Sequence, residues 1–283
     1  MKILKTLTLT NRALLGASLI AGLTVAALPV SAQLIAYDGF DYAAGNDLYS
    51  QNGGSGWGGA WLSRSEVLGG GSIVTNQAPI QAGSLSYSDG VNSLLTTGNH
   101  SRMFGAPGVS LELARNLGAP AGGADGTSIY MSFLIQRTGD AQSPATTSPP
   151  NEYPRGANMR WWTDGGERGN IGNNSNASTD TLKLTSKDVG IDSGVTFSGQ
   201  VNFVVGRIDF DSVGGNMLHL WVNPSLSTED LGAAMSVAYL DGATTFQVGC
   251  RLVGKCLVLG VHRVFLMGEP SGATAIFCRA TGL

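Results

Sequence analysis

Two aspartates at alternate positions, Asp209 and Asp211, have the clearest chemical potential in this sequence. They end an apolar run that starts at Val201, and Asn216 follows after a short glycine-containing turn. Alternate residues of a strand lie on the same face of a sheet, which would bring the two carboxylates together. Because Ca²⁺ prefers oxygen ligands of this kind, we predict a calcium site at Asp209, Asp211 and Asn216, completed by loop carbonyls. The alternative is that the aspartates only cap the turn.

A second candidate site lies at Arg160, Trp161 and Trp162. Neighbouring residues of a strand point to opposite sides, so one tryptophan should face the core and the other the solvent. The outward ring, beside Arg160 and a predicted polar surface loop at 165–180, could stack on the apolar face of a sugar. We therefore predict these three residues as carbohydrate-binding. A packed aromatic on an outer face is the alternative.

The histidines and cysteines give weaker indications of a functional site. His100, His219 and His262 have no paired spacing, and nothing in their pattern indicates a zinc site. Of the three cysteines, Cys250 and Cys256 could form a disulfide that closes a small loop, which is our prediction. Either could instead pair with Cys278, and the sequence does not decide between these pairings.

The first 32 residues are typical of a signal peptide. A basic start with Lys2, Lys5 and Arg12 precedes an uncharged stretch at 13–30, and small residues end at Ala32 before Gln33. The stretch is near the lower limit for a membrane span, but Pro29 and the polar chain that follows favour cleavage. We expect a secreted or cell-surface protein with no membrane segment once the leader is removed.

The rest of the chain has the composition of an exported β-protein. Loss of the leader leaves 14 Lys and Arg against 20 Asp and Glu, a net charge of about −6. This balance argues against nucleic acid as a partner, because a phosphate backbone requires a basic surface. Short apolar runs, such as the predicted strand from Ile80 to Tyr87, alternate with turn residues, and all but two of the 41 glycines of the full sequence lie in this part of the chain. We predict an all-β fold, an antiparallel two-sheet sandwich, as one domain over residues 33–283.

The clearest local unit is a predicted hairpin. Residues 201–211 and 217–223 are strand-like and are separated by a turn with a Gly-Gly pair. Within it, Ile208 and Phe210 should share one face, and Arg207, Asp209 and Asp211 the other.

Three segments carry a resemblance to a known family. They are residues 34–45, LIAYDGFDYAAG, residues 51–61, QNGGSGWGGAW, and the hairpin residues 207–211, RIDFD, with 220–224, LWVNP. These resemble secreted bacterial proteins of the concanavalin A-like (LamG-like) lectin/glucanase superfamily, of the planctomycete type that often carries a C-terminal PEP-CTERM sorting tail. The resemblance covers residues 34 to about 240 and implies a jelly-roll of two antiparallel sheets.

The end of the chain departs from that family. Residues 242–283 lack the acidic closing strand that the resemblance implies, and they contain all three cysteines. We expect this segment to be an atypical and poorly ordered part of the domain.

The resemblance also bears on catalysis. Retaining glucanases of this superfamily use a Glu-x-Asp-x-x-Glu pattern, whereas Asp211 is followed by Ser212, Val213 and Gly214. We expect no catalytic residues and predict a non-catalytic module that binds extracellular polysaccharide. The alternatives are a divergent polysaccharide hydrolase or lyase and a purely structural matrix protein. Hydrolysis would need a pair of acids, for which the candidates are Glu112, Glu152, Glu167, Asp209 and Asp211.

Overall fold

A computed structural model provides the architecture. It describes residues 33–68, 78–103, 112–137, 158–163, 166–172, 180–186, 189–213, 215–227, 231–240, 246–253 and 257–267. Within strands, side chains are described up to residue 234 except at 161–168 and 189.

The described chain forms fifteen strands and one short helix. The strands are β1 (Gln33–Asp38), β2 (Leu62–Ser63), β3 (Ile80–Gln81), β4 (His100–Met103), β5 (Glu112–Ala121), β6 (Ser128–Arg137), β7 (Asn158–Thr163), β8 (Gly166–Gly172), β9 (Thr181–Ser186), β10 (Val189–Thr196), β11 (Val201–Asp209), β12 (Asn216–Val222), β13 (Met235–Leu240), β14 (Phe246–Val253) and β15 (Leu257–Met267). The helix, α1 (Arg64–Leu68), has five residues. Glu66 accepts hydrogen bonds from the Ser63 backbone N–H and hydroxyl, which caps its start.

The strands form two antiparallel sheets. The first has the order β13-β12-β11-β6-β15-β4-β3, and β1 pairs with β15 beside β4. The second has the order β10-β9-β8-β7-β14-β5-β2. Among the described strands, the chain changes sheets on either side of β2, between β4 and β5, between β5 and β6, between β6 and β7, between β10 and β11, and on either side of β14.

A single apolar core joins the two sheets. Residues of the first sheet such as Phe133, Val204 and Leu218 are buried in one cluster with residues of the second sheet such as Met159 and Leu184. The predicted fold class, an all-β antiparallel two-sheet sandwich, is confirmed. Where the described residues are concerned, we find no helix long and apolar enough to span a membrane.

The predicted hairpin is also confirmed. β11 and β12 pair in antiparallel register, with Arg207 opposite His219 and Asp209 opposite Met217. Ile208 is buried in the core while Arg207 and Asp209 are partly exposed, as their alternation predicted. Asp211 lies beyond the end of β11, so the strand is shorter than predicted.

Two loop and strand predictions were wrong. Residues 166–172, within the predicted loop at 165–180, form β8, which is held by pairing with β7 and β9. The predicted strand from Ile80 to Tyr87 ends at Gln81, and the chain then leaves the sheet.

Residues 84–95, here called the flap, fold back over the outer face of the first sheet. Leu85, Tyr87 and Leu94 pack with Phe203 and Trp221 in a second hydrophobic cluster outside the sandwich core. The Asp89 carboxylate fastens the flap by accepting hydrogen bonds from the backbone N–H groups of Val91, Asn92 and Leu226. Hydrogen bonds from these three amides, Asn92 and Val91 foremost, lower the pKa of Asp89 to about 2.

A buried polar cluster fixes the N-terminal segment to β5. Asp38 and Arg115 form an ion pair of 2.7 Å with both side chains 1% exposed. Asp38 also accepts hydrogen bonds from the Tyr42 hydroxyl and the Trp61 indole N–H. Burial, followed by the Asp38 carboxylate, raises the pKa of Tyr42, so its hydroxyl stays protonated. We call Asp38, Tyr42, Trp61 and Arg115 the buried cluster.

Residues 242–283, predicted to be atypical and poorly ordered, contribute one strand to the middle of each sheet. β14 lies between β7 and β5, and β15 lies between β6 and β4. Residues 268–283 are outside the described part, and the expected poor order of this segment stays a prediction. Cys256 and Cys278 also lie outside it, so the disulfide between Cys250 and Cys256 stays a prediction.

Candidate functional site

The outer face of the first sheet carries a group of polar and aromatic side chains. Strand register places them in neighbouring rows: His219, Arg207 and Tyr130 are paired across β12, β11 and β6. In the next row, Asp209 pairs with Ser128. Because paired residues of antiparallel strands share a face, these five side chains lie together. We call Ser128, Tyr130, Arg207, Asp209 and His219 the outer cluster.

Asp209 is the centre of the outer cluster. Its Oδ1 accepts a 2.6 Å hydrogen bond from the Ser128 hydroxyl. Its Oδ2 accepts a 2.8 Å hydrogen bond from an Arg207 terminal nitrogen and lies 2.8 Å from His219 Nε2. Three different strands therefore supply the groups that hold this carboxylate.

Aromatic rings position Arg207. Its guanidinium carbon lies 5.7 Å from the centre of the Tyr130 ring and 5.4 Å from that of Trp221. The Tyr130 hydroxyl accepts a 3.2 Å hydrogen bond from the other terminal nitrogen of Arg207. Trp221 is itself fixed, because its indole N–H donates to the Gly232 carbonyl and the His219 ring stacks on it. These contacts hold the guanidinium in one orientation.

The outer cluster remains open to solvent and keeps unused hydrogen-bonding capacity. The side chain of Arg207 is 27% exposed and that of Asp209 is 33% exposed. Each terminal nitrogen of Arg207 has two hydrogens and uses one of them on the groups named above. Asp209 Oδ1 accepts one hydrogen bond and can accept a second, and Tyr130 can still donate its hydroxyl proton.

The electrostatics keep Asp209 ionised. Partial burial acts to raise the pKa of this carboxyl. Hydrogen bonds from His219 and Ser128 and the charge of Arg207 outweigh it, so the pKa of Asp209 is lowered. At neutral pH the site therefore presents a carboxylate and a guanidinium side by side.

Of the three predicted calcium ligands, Asp211 and Asn216 are in contact, whereas Asp209 has other partners. Asp209 belongs to the outer cluster and contacts two basic side chains. Asp211 accepts a hydrogen bond from the Val213 N–H, and the Asn216 side-chain oxygen accepts one from the Asp211 N–H. Throughout the described segments, no three His, Cys, Asp or Glu side chains are grouped to hold a metal ion. Calcium at the turn stays a prediction.

The predicted carbohydrate-binding residues lie on the other sheet. Arg160, Trp161 and Trp162 belong to β7, between β8 and β14. Arg160 is partly buried and donates a 2.8 Å hydrogen bond to the Asn158 side chain. The side chains of Trp161 and Trp162 are outside the described part, and a register irregularity separates the two residues in the β7–β8 pairing. Their role stays a prediction.

The acids proposed for hydrolysis are divided between the two sheets. Asp209 lies in the first sheet, whereas Glu112 and Glu167 belong to β5 and β8 of the second. Glu152 lies outside the described residues. Asp211 is exposed in the turn that follows β11. The Ser128 hydroxyl donates to Asp209, and no hydrogen bond between Ser128 and His219 is present in the described structure. This arrangement therefore differs from a nucleophile activated by a base.

Sequence reasoning found two of the five residues of the outer cluster. Arg207 and Asp209 were placed on one face by alternation, and His219 was dismissed because it lacks a partner histidine. Its partner is Asp209, and aligning the two strands of the predicted hairpin would have placed His219 opposite Arg207. Ser128 and Tyr130 come from β6, whose pairing with β11 leaves no local signal.

No protein-family model and no curated protein matches this sequence. Solved structures with legume-lectin-like folds do align with it at low identity. Lectin II from Ulex europaeus aligns with 11% identity and a TM-score of 0.38, over 67% of this chain and 94% of its own. The Ca²⁺-bound exoplasmic/lumenal domain of VIP36 aligns with 10% identity and a TM-score of 0.39, over 64% and 84%. The legume lectin-like domain from Entamoeba histolytica aligns with 10% identity and a TM-score of 0.35, over 62% and 87%.

These scores are too low to support an argument about function. The fold class rests on the strands and core described above.

Proposed function

We propose that this chain is an exported carbohydrate-binding module that acts without catalysis. The observation that carries the proposal is the outer cluster, in which a partly exposed ionised carboxylate and guanidinium lie beside the half-buried Tyr130 ring. Sugars present hydroxyls that both donate and accept hydrogen bonds, together with apolar C–H faces that pack on aromatic rings. A few convergent polar groups beside aromatic surface are what a small-molecule site needs.

The chemistry of Asp209 does not suit the general acid of a glycosidase. A glycosidase needs a carboxylic acid with a raised pKa to protonate the leaving group. The pKa of Asp209 is lowered, so this group accepts hydrogen bonds and does not donate a proton at neutral pH. We therefore assign Asp209 to ligand binding.

Export is supported by the sequence of the first 32 residues. β1 begins at Gln33, so cleavage at the predicted site leaves all the described strands intact. N-terminal sequencing of the protein recovered from a culture medium should start at Gln33. Recovery only from cells, with residues 1–32 retained, would contradict export.

Carbohydrate binding is tested by affinity electrophoresis of the protein starting at Gln33. The gels contain galactomannan, xylan, arabinan or laminarin as neutral polysaccharides and alginate or pectin as acidic ones, each with CaCl₂ or with EDTA. We expect retardation by at least one neutral polysaccharide. Unchanged mobility in all gels would overturn the proposal.

Two variants locate the binding face. We expect Arg207→Ala, on the first sheet, to remove the retardation. Loss of retardation in Arg160→Ala but not in Arg207→Ala would place the ligand at Arg160, Trp161 and Trp162 on the second sheet instead.

A further inference from the structure

The hydrogen-bonding groups of the outer cluster also define what part of a sugar it takes. We infer that Asp209 and Arg207 together bind a vicinal diol, two hydroxyls on adjacent carbons, of an uncharged sugar residue through hydrogen bonds and without a calcium ion. This inference rests on the proposed function and specifies the ligand of the same site.

The charge of the outer cluster favours an uncharged ligand. Asp209 and Arg207 are paired at 2.8 Å, so one negative and one positive charge nearly cancel where the ligand would lie. A sugar carboxylate or sulfate would need to compete with Asp209 for Arg207. It would also lie against the Asp209 carboxylate, which repels it.

The unused donors and acceptors match two adjacent hydroxyls. One hydroxyl can donate to the remaining acceptor position of Asp209 Oδ1. Its neighbour can accept from the remaining hydrogen of an Arg207 terminal nitrogen or from the Tyr130 hydroxyl. Because the carboxylate and the guanidinium are bonded to each other at 2.8 Å, their unused positions lie close together, which suits two hydroxyls on adjacent carbons of the sugar ring.

The same contacts argue against a calcium ion bound by Asp209. Asp209 Oδ2 already lies within 2.8 Å of both an Arg207 nitrogen and His219 Nε2. A divalent cation at this carboxylate would lie next to the positive guanidinium and would have to displace it. The ligand is therefore held by side chains alone.

Periodate provides a direct test, because it cleaves the bond between carbons that carry adjacent hydroxyls. The probes are galactomannan and the same galactomannan oxidised with periodate and reduced with borohydride. Isothermal titration in EDTA should detect binding to the native polymer and at least a tenfold loss of affinity for the oxidised one. If the electrophoresis retards the protein only with another polysaccharide of the panel, that polysaccharide is oxidised and titrated in the same way.

Side-chain variants complete the test. Asp209→Asn keeps the shape but removes the charge, and Tyr130→Phe removes only one hydroxyl. We expect about a tenfold or greater loss of affinity for Asp209→Asn and a smaller loss for Tyr130→Phe. The matched control is Asp192→Asn, which removes a carboxylate paired with Lys183 on the second sheet and should leave affinity unchanged. Circular dichroism shows whether each variant is folded, and Tyr130→Phe provides the comparison should Asp209→Asn unfold.

The outcomes separate the inference from the proposed function. Equal affinity for oxidised and native polymer, loss of binding in EDTA, or preference for alginate or pectin would overturn the diol inference and leave carbohydrate binding intact. Absence of binding to any polysaccharide of the panel would overturn both.

Discussion

The same four residue types form two clusters in this molecule. The buried cluster contains Asp38, Arg115, Tyr42 and Trp61, while Asp209, Arg207, Tyr130 and Trp221 lie together at the outer face of the first sheet. The environments differ: Asp38 and Arg115 are 1% exposed, whereas Arg207 and Asp209 are about one-third exposed.

The clusters also differ in how completely their hydrogen bonds are used. Asp38 accepts from four donors, and Arg115 donates to Asp38, Tyr42, the Gly59 carbonyl and Asn52. Arg207 and Asp209 retain capacity on the solvent side. The residue types alone therefore do not identify a binding site. Unused hydrogen-bond donors and acceptors distinguish a cluster that can bind a ligand from one that only stabilises the fold.

The largest effect should come from removing the arginine of each cluster in turn. Arg115→Met leaves the buried Asp38 carboxylate without its ion pair, which should lower the free energy of unfolding by about 3–5 kcal/mol. Arg207→Met breaks a partly exposed pair and should cost about 1 kcal/mol or less. Urea unfolding followed by circular dichroism measures both. Equal losses of unfolding free energy for the two variants would show that burial does not determine how much each ion pair contributes to stability.

A second experiment changes the close backbone contact between Gly56 and β1, the strand that carries Asp38, and leaves the polar side chains of the buried cluster unchanged. Gly56 has a φ of +76°, and a Cβ there would overlap the Ile35 carbonyl oxygen of β1. We expect Gly56→Ala to cost more than about 3 kcal/mol of unfolding free energy, because strain and overlap add. The control is Gly194→Ala, with a φ of +67° and open space around the new methyl group, for which about 1–2 kcal/mol is expected. Similar costs would contradict the role of close backbone contact at Gly56.

The smallest effect concerns pH and the outer cluster alone. The pKa of Asp209 lies below its ordinary value because the hydrogen bonds from His219 and Ser128 and the charge of Arg207 outweigh burial. The carboxylate thus stays ionised at pH values where an ordinary aspartate, with a pKa of about 3.9, begins to protonate. Affinity for galactomannan should persist from pH 7 to about pH 5 and fall as the pH drops through the lowered pKa. A variant Asp209→Asn should lack this acid limb, and an affinity that already halves above pH 5 would argue against the assignment.

The sequence predicted the fold class and the hairpin because both depend on local patterns. Alternation of apolar and polar residues placed Ile208 in the core and Arg207 with Asp209 outside. β8 was missed because GERGNIG has low strand propensity, and its pairing with β7 and β9 forms the strand. The buried cluster joins residues 77 positions apart, and the pairing of Asp209 with Ser128 spans 81 positions. Contacts over such distances depend on strand order, which a single sequence does not reveal.

The placement of the last two strands has a consequence for how the nascent chain matures. Without β15 the first sheet divides between β6 and β4, and β1 loses the strand with which it pairs. Without β14 the second sheet divides between β7 and β5. If the chain is exported as proposed, with its N-terminus first, these halves cannot join until residues 246–267 have crossed the membrane. Such late, long-range strand pairing is expected to make folding slow. A C-terminal truncation that reaches β15 would therefore remove a central strand of the first sheet and not an edge strand.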